Sequence, residues 1–169
     1  EVVRLGEGVD QNKTFKLEAI DRTLTSLQTF SREITRRGVE RIRFCATSAT
    51  RDATNRDLFI KGVEEILGIT PEVIPGTEEA SLSFRGATKE LAMAEGPFLV
   101  VDIGGGSTEF VYGTENVISA RSVNVGCVRM AERHQLTSPL SESSRIAAIA
   151  DIDAAIAEAA SEVPITKAR

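Results

Sequence analysis

Residues 100–110 read VVDIGGGSTEF, and their types and order suit the handling of an anion. Asp102 ends an apolar run; Gly104, Gly105 and Gly106 follow, then Ser107, Thr108 and a second acid, Glu109. Glycine weakens a strand interior, since it has no side chain to pack and costs backbone entropy. In a turn between strands it does the reverse: backbone N–H groups can face an anion with no Cβ in the way. Asp102 could then hold a divalent cation through water, as magnesium keeps much of its hydration shell. Ser107 can add a hydroxyl donor, and Glu109 could reach the same metal or orient a water. The plainer reading is a tight hairpin with solvated acids. Two glycines would serve such a turn, so an acid, a run of glycines, a hydroxyl and another acid favour a phosphate site.

Other groups are candidates with plain alternatives beside them. Glu78 and Glu79 open a helix in GTEEA, where the macrodipole favours acids whatever their function. Arg51, in TSATRDATN, stands between a strand and a helix; it could cap locally, pair with Asp52 or Asp57, or grip phosphate oxygens with its guanidinium fork. Thr47 and Ser48 would line the same place. Arg129 could meet an anion or cover a helix flank with its stem. His134 is the one histidine; without a partner it reads as a surface or half-buried residue. Arg36, Arg37, Arg41 and Arg43 form a basic run, ordinarily a solvated face. Cys45 and Cys127 sit in apolar settings without metal-ligand spacing, which reads as packed, reduced thiols, and no zinc motif is present.

The elements that must position these groups follow from periodicity. EVVRLGEGV reads as a strand. Over about residues 14–37, Leu17, Ile20, Leu24, Leu27, Phe30 and Ile34 recur at helical steps until Gly38. VERIRFCAT alternates as a strand, SATRDATN is a polar connection, RDLFIKGVEEILG a helix, and PEVIPG a short strand. A third helix covers residues 77–96. After Gly96 and Pro97 the pattern changes to three consecutive strands, FLVVDIG, STEFVYGT and NVISARSVNVG, expected to be antiparallel. CVRMAERHQ then begins a helix after Gly126. Residues 141–163 form an alanine-rich helix with Ile146, Ile149, Ile152 and Ile156 as its stripe.

The chain has 169 residues, a net charge of -5 and 41% hydrophobic residues, which reads as a soluble, globular chain. The well-mixed charge disfavours broad DNA or membrane-surface binding, which calls for a basic face. No apolar run approaches a membrane span, and the N-terminus lacks the apolar core of a signal peptide. The opening without Met, in what reads as mid-strand, suggests a piece of a longer protein.

VVDIGGGSTEF resembles the phosphate hairpin of the actin-like, sugar-kinase and heat-shock chaperone ATPase superfamily, and its Ser-Thr-Glu version looks most like the Ppx/GppA family. RLGEGV, ATSATRDATN at 46–55 and PGTEEASLSFRGA at 75–87 agree with that family in order, and GCVRMAERH at 126–134 more loosely. The resemblance implies a ribonuclease-H-like (actin-like ATPase) topology with two partial lobes, mixed sheets flanked by helices. Residues 1–96 would be an N-terminal lobe lacking its first strand and phosphate loop, and 97–169 the start of a second. It implies hydrolysis of the terminal phosphoanhydride of polyphosphate or guanosine pentaphosphate, in a cytoplasmic enzyme that could pair as a homodimer. Glu79 would be the water-activating base; Arg51, Gly104, Gly105, Gly106 and Ser107 would bind substrate; Asp102 and Glu109 would hold Mg2+. Two alternatives stay open: an ATP-dependent sugar or acid kinase of the same superfamily, and a non-catalytic alarmone or polyphosphate sensor. With one phosphate hairpin of the two expected, this chain alone is expected to turn over little.

Overall fold

The computed structural model describes residues 1–92 and 95–168, and the chain divides into two compact units, Glu1–Ile74 and Pro75–Arg169. In the first, helices α1 (Val9–Asn12), α2 (Leu17–Arg36), α3 (Ser48–Asp52) and α4 (Arg56–Leu67) accompany two short parallel strands, β1 (Cys45–Ala46) and β2 (Glu72–Val73). The helical period of α2 buries Ile20 and Leu27 in a core with Val9, Phe15, Ala46, Ala53, Phe59 and Val63. Leu17 and Phe30, on the margins of that stripe, are exposed. Helix α4 sits close because Gly62 has no side chain: a Cβ there would lie 2.3 Å from a Leu24 methyl. Phe15 and Phe59 meet edge to face at 5.9 Å, a favoured aromatic geometry.

Two strands expected here differ. Residues 1–8 hold no strand; they run as coil and turn into α1, with Gly8 at φ 78°. The strand expected around residues 39–47 is paired only at Cys45 and Ala46, because β2 is itself two residues long. Alternation alone makes no strand without a ladder partner. The polar connection at 48–55 contains the short helix α3.

The second unit begins with α5 (Gly76–Thr88) and continues with the antiparallel meander β3 (Phe98–Ile103), β4 (Thr108–Gly113) and β5 (Val117–Val123). Helices α6 (Cys127–Arg133) and α7 (Glu142–Glu162) follow. The expected third helix is shorter than residues 77–96, ending at Thr88, and residues 93 and 94 of that span lie outside the described ones. Gly96 and Pro97 stand inside this unit, since α5 packs on the sheet that follows it. Alternate residues of the strands serve two faces. On one, Ala80 and Phe84 of α5 pack against Val111, with Phe98, Val100, Val117 and Ala120 around them. On the other, Ala155 and Ala159 of α7 pack against Phe110, Tyr112, Val123 and Leu99.

Helix α7 corrects the expected stripe. Ile146, Ile149, Ile152 and Ile156 are exposed, and Ala148, Ala155 and Ala159 are buried. Small side chains let the helix axis approach the sheet, whereas a row of isoleucines would hold it off. Its N-terminus is capped by Ser141, whose Oγ accepts from the Ser144 N–H at 3.1 Å. Both cysteines are free thiols; Cys45 is half-buried, but Cys127 is exposed at the first position of α6 rather than packed.

Candidate functional site

The β3–β4 ladder closes at Ile103 opposite Thr108, leaving residues 104–107 as the turn. Inside it the Gly104 N–H donates to the Ser107 carbonyl at 2.9 Å. The turn carbonyls are taken up by the start of α6. Cys127 N–H donates to the Gly104 oxygen at 2.9 Å, and the N–H groups of Val128 and Arg129 to the Gly105 oxygen at 3.0 Å. Arg129 Nε donates to the Gly106 oxygen at 2.6 Å. In a planar trans peptide the carbonyl and the next N–H point opposite ways. With carbonyls 104–106 directed at α6, the N–H groups of Gly105, Gly106 and Ser107 are directed away from it.

None of the turn glycines adopts a left-handed φ. Gly104 has the least space: a Cβ there would stand 3.1 Å from the Ser107 oxygen, whereas one on Gly105 would make ordinary contact with Val128 at 3.5 Å. The tightest approach is at Gly126, where a Cβ would lie 2.6 Å from the Gly105 carbonyl carbon and oxygen. Gly126 therefore lets α6 reach the turn.

The acids lie in one cross-strand row, Asp102 opposite Glu109 and Glu109 opposite Ser122, at the turn end of the α5 face. Glu109 is 1% exposed and accepts from Ser122 Oγ at 2.7 Å. Burial pushes its carboxyl pKa up; the Ser122 hydroxyl opposes this, and the charge of Glu79 pushes it up further. A hydrogen bond from Ser107 lowers it and the charge of Asp102 raises it, both smaller effects. Glu79, near the start of α5, is thus within electrostatic reach of the hairpin acids. One helical turn on, Ser83 Oγ donates to Asp102 Oδ2. Three residues share this neighbourhood without having been singled out for it from sequence, Ser83, Ser122 and Gly126, while Arg129, weighed there as an anion contact or a flank cover, bonds the turn itself. Ser83 did carry a signal, the i+4 spacing from Glu79.

Arg51 belongs to the first unit, where its Nη1 donates to the Ile74 carbonyl at 2.7 Å beyond the end of β2. Thr47 and Ser48 sit at the start of the same short helix, Ser48 buried. The basic run is largely matched with acid: Arg36 and Arg37 pair with Glu33 at 2.7 and 2.5 Å, and Arg43 with Glu72 at 2.6 Å. His134 Nε2 lies 2.9 Å from Asp151, which Arg133 also contacts at 3.1 Å. Those two neighbours hold the Asp151 carboxyl below its usual range.

Among the described residues, no three His, Cys, Asp or Glu groups stand together as a metal cage. Magnesium does not demand one, since one or two carboxylates plus water and phosphate oxygens suffice. Asp102 and Glu109 stand opposite each other as such a pair; burial first, and then the charges of Glu79 and Asp102, raise the pKa of Glu109, and a nearby cation would relieve that cost. No described helix is long and apolar enough to cross a membrane.

The glycine turn with acids on its flanking strands lies in a chain of two α/β units that has the actin-like ATPase fold. Residues 1–168 match the Ppx/GppA phosphatase family, and the chain belongs to that family. It is 50% identical over 137 residues to exopolyphosphatase 2 of Mycobacterium tuberculosis, covering 78% of this chain and 43% of that protein. It is 38% identical over 148 residues to the guanosine-5'-triphosphate,3'-diphosphate pyrophosphatase of Pseudoalteromonas atlantica, covering 87% of this chain and 29% of that one. The crystal structure of an exopolyphosphatase-like protein superimposes with a TM-score of 0.95 at 46% identity, covering 100% of this chain and 54% of the other. The chain thus spans about half the length of that structure and less than half of the two curated relatives.

Proposed function

We propose that the protein hydrolyses a terminal phosphoanhydride, from inorganic polyphosphate or guanosine pentaphosphate. The observation that carries this reading is the convergence of α5 with the hairpin: the charge of Glu79 acts on Glu109, and Ser83 holds Asp102. Names of relatives that act on polyphosphate and on guanosine-5'-triphosphate,3'-diphosphate support the substrate class.

The amides of Gly105, Gly106 and Ser107 donate to oxygens of the terminal phosphate. The Ser107 hydroxyl, which bonds Glu109 here, would turn its hydrogen to a phosphate oxygen. Glu79 accepts a proton from a water held in line with the phosphorus; as the water's O–H bond breaks and the new P–O bond forms, the bridging P–O bond breaks and the shortened chain leaves as a phosphate anion. Positioning and charge neutralisation supply most of the acceleration, because phosphoryl transfer passes through a loose transition state. Asp102 and Glu109 would hold Mg2+, which when bound neutralises phosphate charge. Arg51 is the proposed guanidinium ligand, supported by its place in ATSATRDATN.

Phosphate release from polyphosphate and from guanosine pentaphosphate tests this, in the 169-residue chain and in a protein of the relatives' length that contains it. Glu79→Gln is expected to lower the rate by about a hundred- to ten-thousandfold while leaving substrate binding intact. A variant that hydrolyses as fast as wild type would remove Glu79 from the reaction.

A further inference from the structure

Arg129 is a cation held behind the glycine turn rather than in front of it. It is 6% exposed, and its Nε donates to the Gly106 carbonyl at 2.6 Å. That carbonyl and the Ser107 N–H belong to one peptide unit. The charge-assisted bond therefore draws electron density toward the Gly106 oxygen and leaves the Ser107 hydrogen more positive. By trans geometry this hydrogen points away from α6, toward the side where the phosphate is proposed to lie.

We infer that Arg129 is a positioning residue, acting on phosphate through the Gly106–Ser107 peptide without touching it. Three features of the same contact carry this. The first backbone donors of α6 hold the Gly104 and Gly105 oxygens, so the turn cannot rotate its peptides independently. Gly126 brings α6 against the turn where a Cβ would collide with Gly105. Arg129 supplies the last carbonyl of the series with a donor that also carries charge. A lysine would keep the charge without the planar fork, and a glutamine would keep an N–H donor without the charge. The two effects, orientation and polarisation, can therefore be separated.

The inference rests on the proposed phosphate site for its consequence, though its local electronic effect does not. Amide spectra of the isotope-labelled chain are recorded for wild type, Arg129→Lys and Arg129→Gln, first free and then during titration with inorganic tripolyphosphate and Mg2+. In the free protein the Ser107 amide proton is expected upfield in Arg129→Gln, with Arg129→Lys between it and wild type. Tripolyphosphate affinity is expected to fall about tenfold in Arg129→Gln and less in Arg129→Lys, the scale of one charge-assisted hydrogen bond. If Arg129→Gln fails to fold, Arg129→Lys alone carries both readouts. A folded variant whose Ser107 amide is unmoved, or a folded Arg129→Gln that binds within twofold of wild type, overturns the inference. If wild type shows no tripolyphosphate-dependent shift at residues 105–107, the proposed site fails instead, and the free-protein shifts alone decide the role of Arg129.

Discussion

The two ends of the sheet face beneath α5 differ sharply, although the same strands build both. Away from the turn, Phe98, Val100, Val111 and Ala120 meet Ala80 and Phe84 in an apolar cluster. At the turn the same alternation brings up Asp102, Glu109 and Ser122, opposite the part of α5 that carries Ser83. The apolar end offsets the cost of keeping Glu109 out of water at the other. A buried carboxyl is unfavourable unless it is paired or protonated, and its raised pKa shows that unfavourable setting. Stability and chemistry are thus divided along one face, with the Gly-rich turn at the chemical end.

Changes at each end should separate the two functions. Phe84→Ala, in a fully buried position, is expected to destabilise the fold by about 3–5 kcal/mol, read from denaturant melts. A loss well under 1 kcal/mol would mean that the apolar end does not anchor α5. Glu109→Gln should act in the opposite direction and depend on pH. The folded state of wild type binds this proton more tightly than the unfolded chain does, because the folded pKa is raised. The group's contribution is complete below the ordinary carboxyl range and is lost as pH rises through the folded value. Without divalent cations, Glu109→Gln should therefore melt above wild type at neutral and mildly alkaline pH, with the difference fading in acid. A difference that grows in acid would reverse this account.

The smallest effect is expected on the opposite face of the sheet. Ile149→Gln on α7 should change stability by no more than about 0.5 kcal/mol, since Ile149 is exposed while Ala155 and Ala159 make the contact. A loss of about 2 kcal/mol or more in the isolated chain would restore the isoleucine stripe as a packing surface.

Much of the hairpin was legible because its signals are local. An apolar run, a glycine turn and a second apolar run specify antiparallel strands within a few residues, and the cross-strand pairing of Asp102 with Glu109 follows from that register. Helix α4 was legible for the same reason, ending at Gly68 in the left-handed region, as its sequence predicts. The N-terminal strand was not: EVVRLGEGV has the right composition, but a strand also needs a partner that no local pattern supplies.

The amino-acid order by itself determined the runs of α2, α4 and the hairpin strands, the place of the glycine turn, and which acids flank it, because these depend on backbone preferences spanning a few residues. Only tertiary structure decided that α7 packs by its alanines, that Ser83 steadies Asp102, and that Arg129 grips the turn from behind. Those outcomes depend on how closely two elements approach and which polar atoms are left to be satisfied there, quantities set by packing across long separations in the chain.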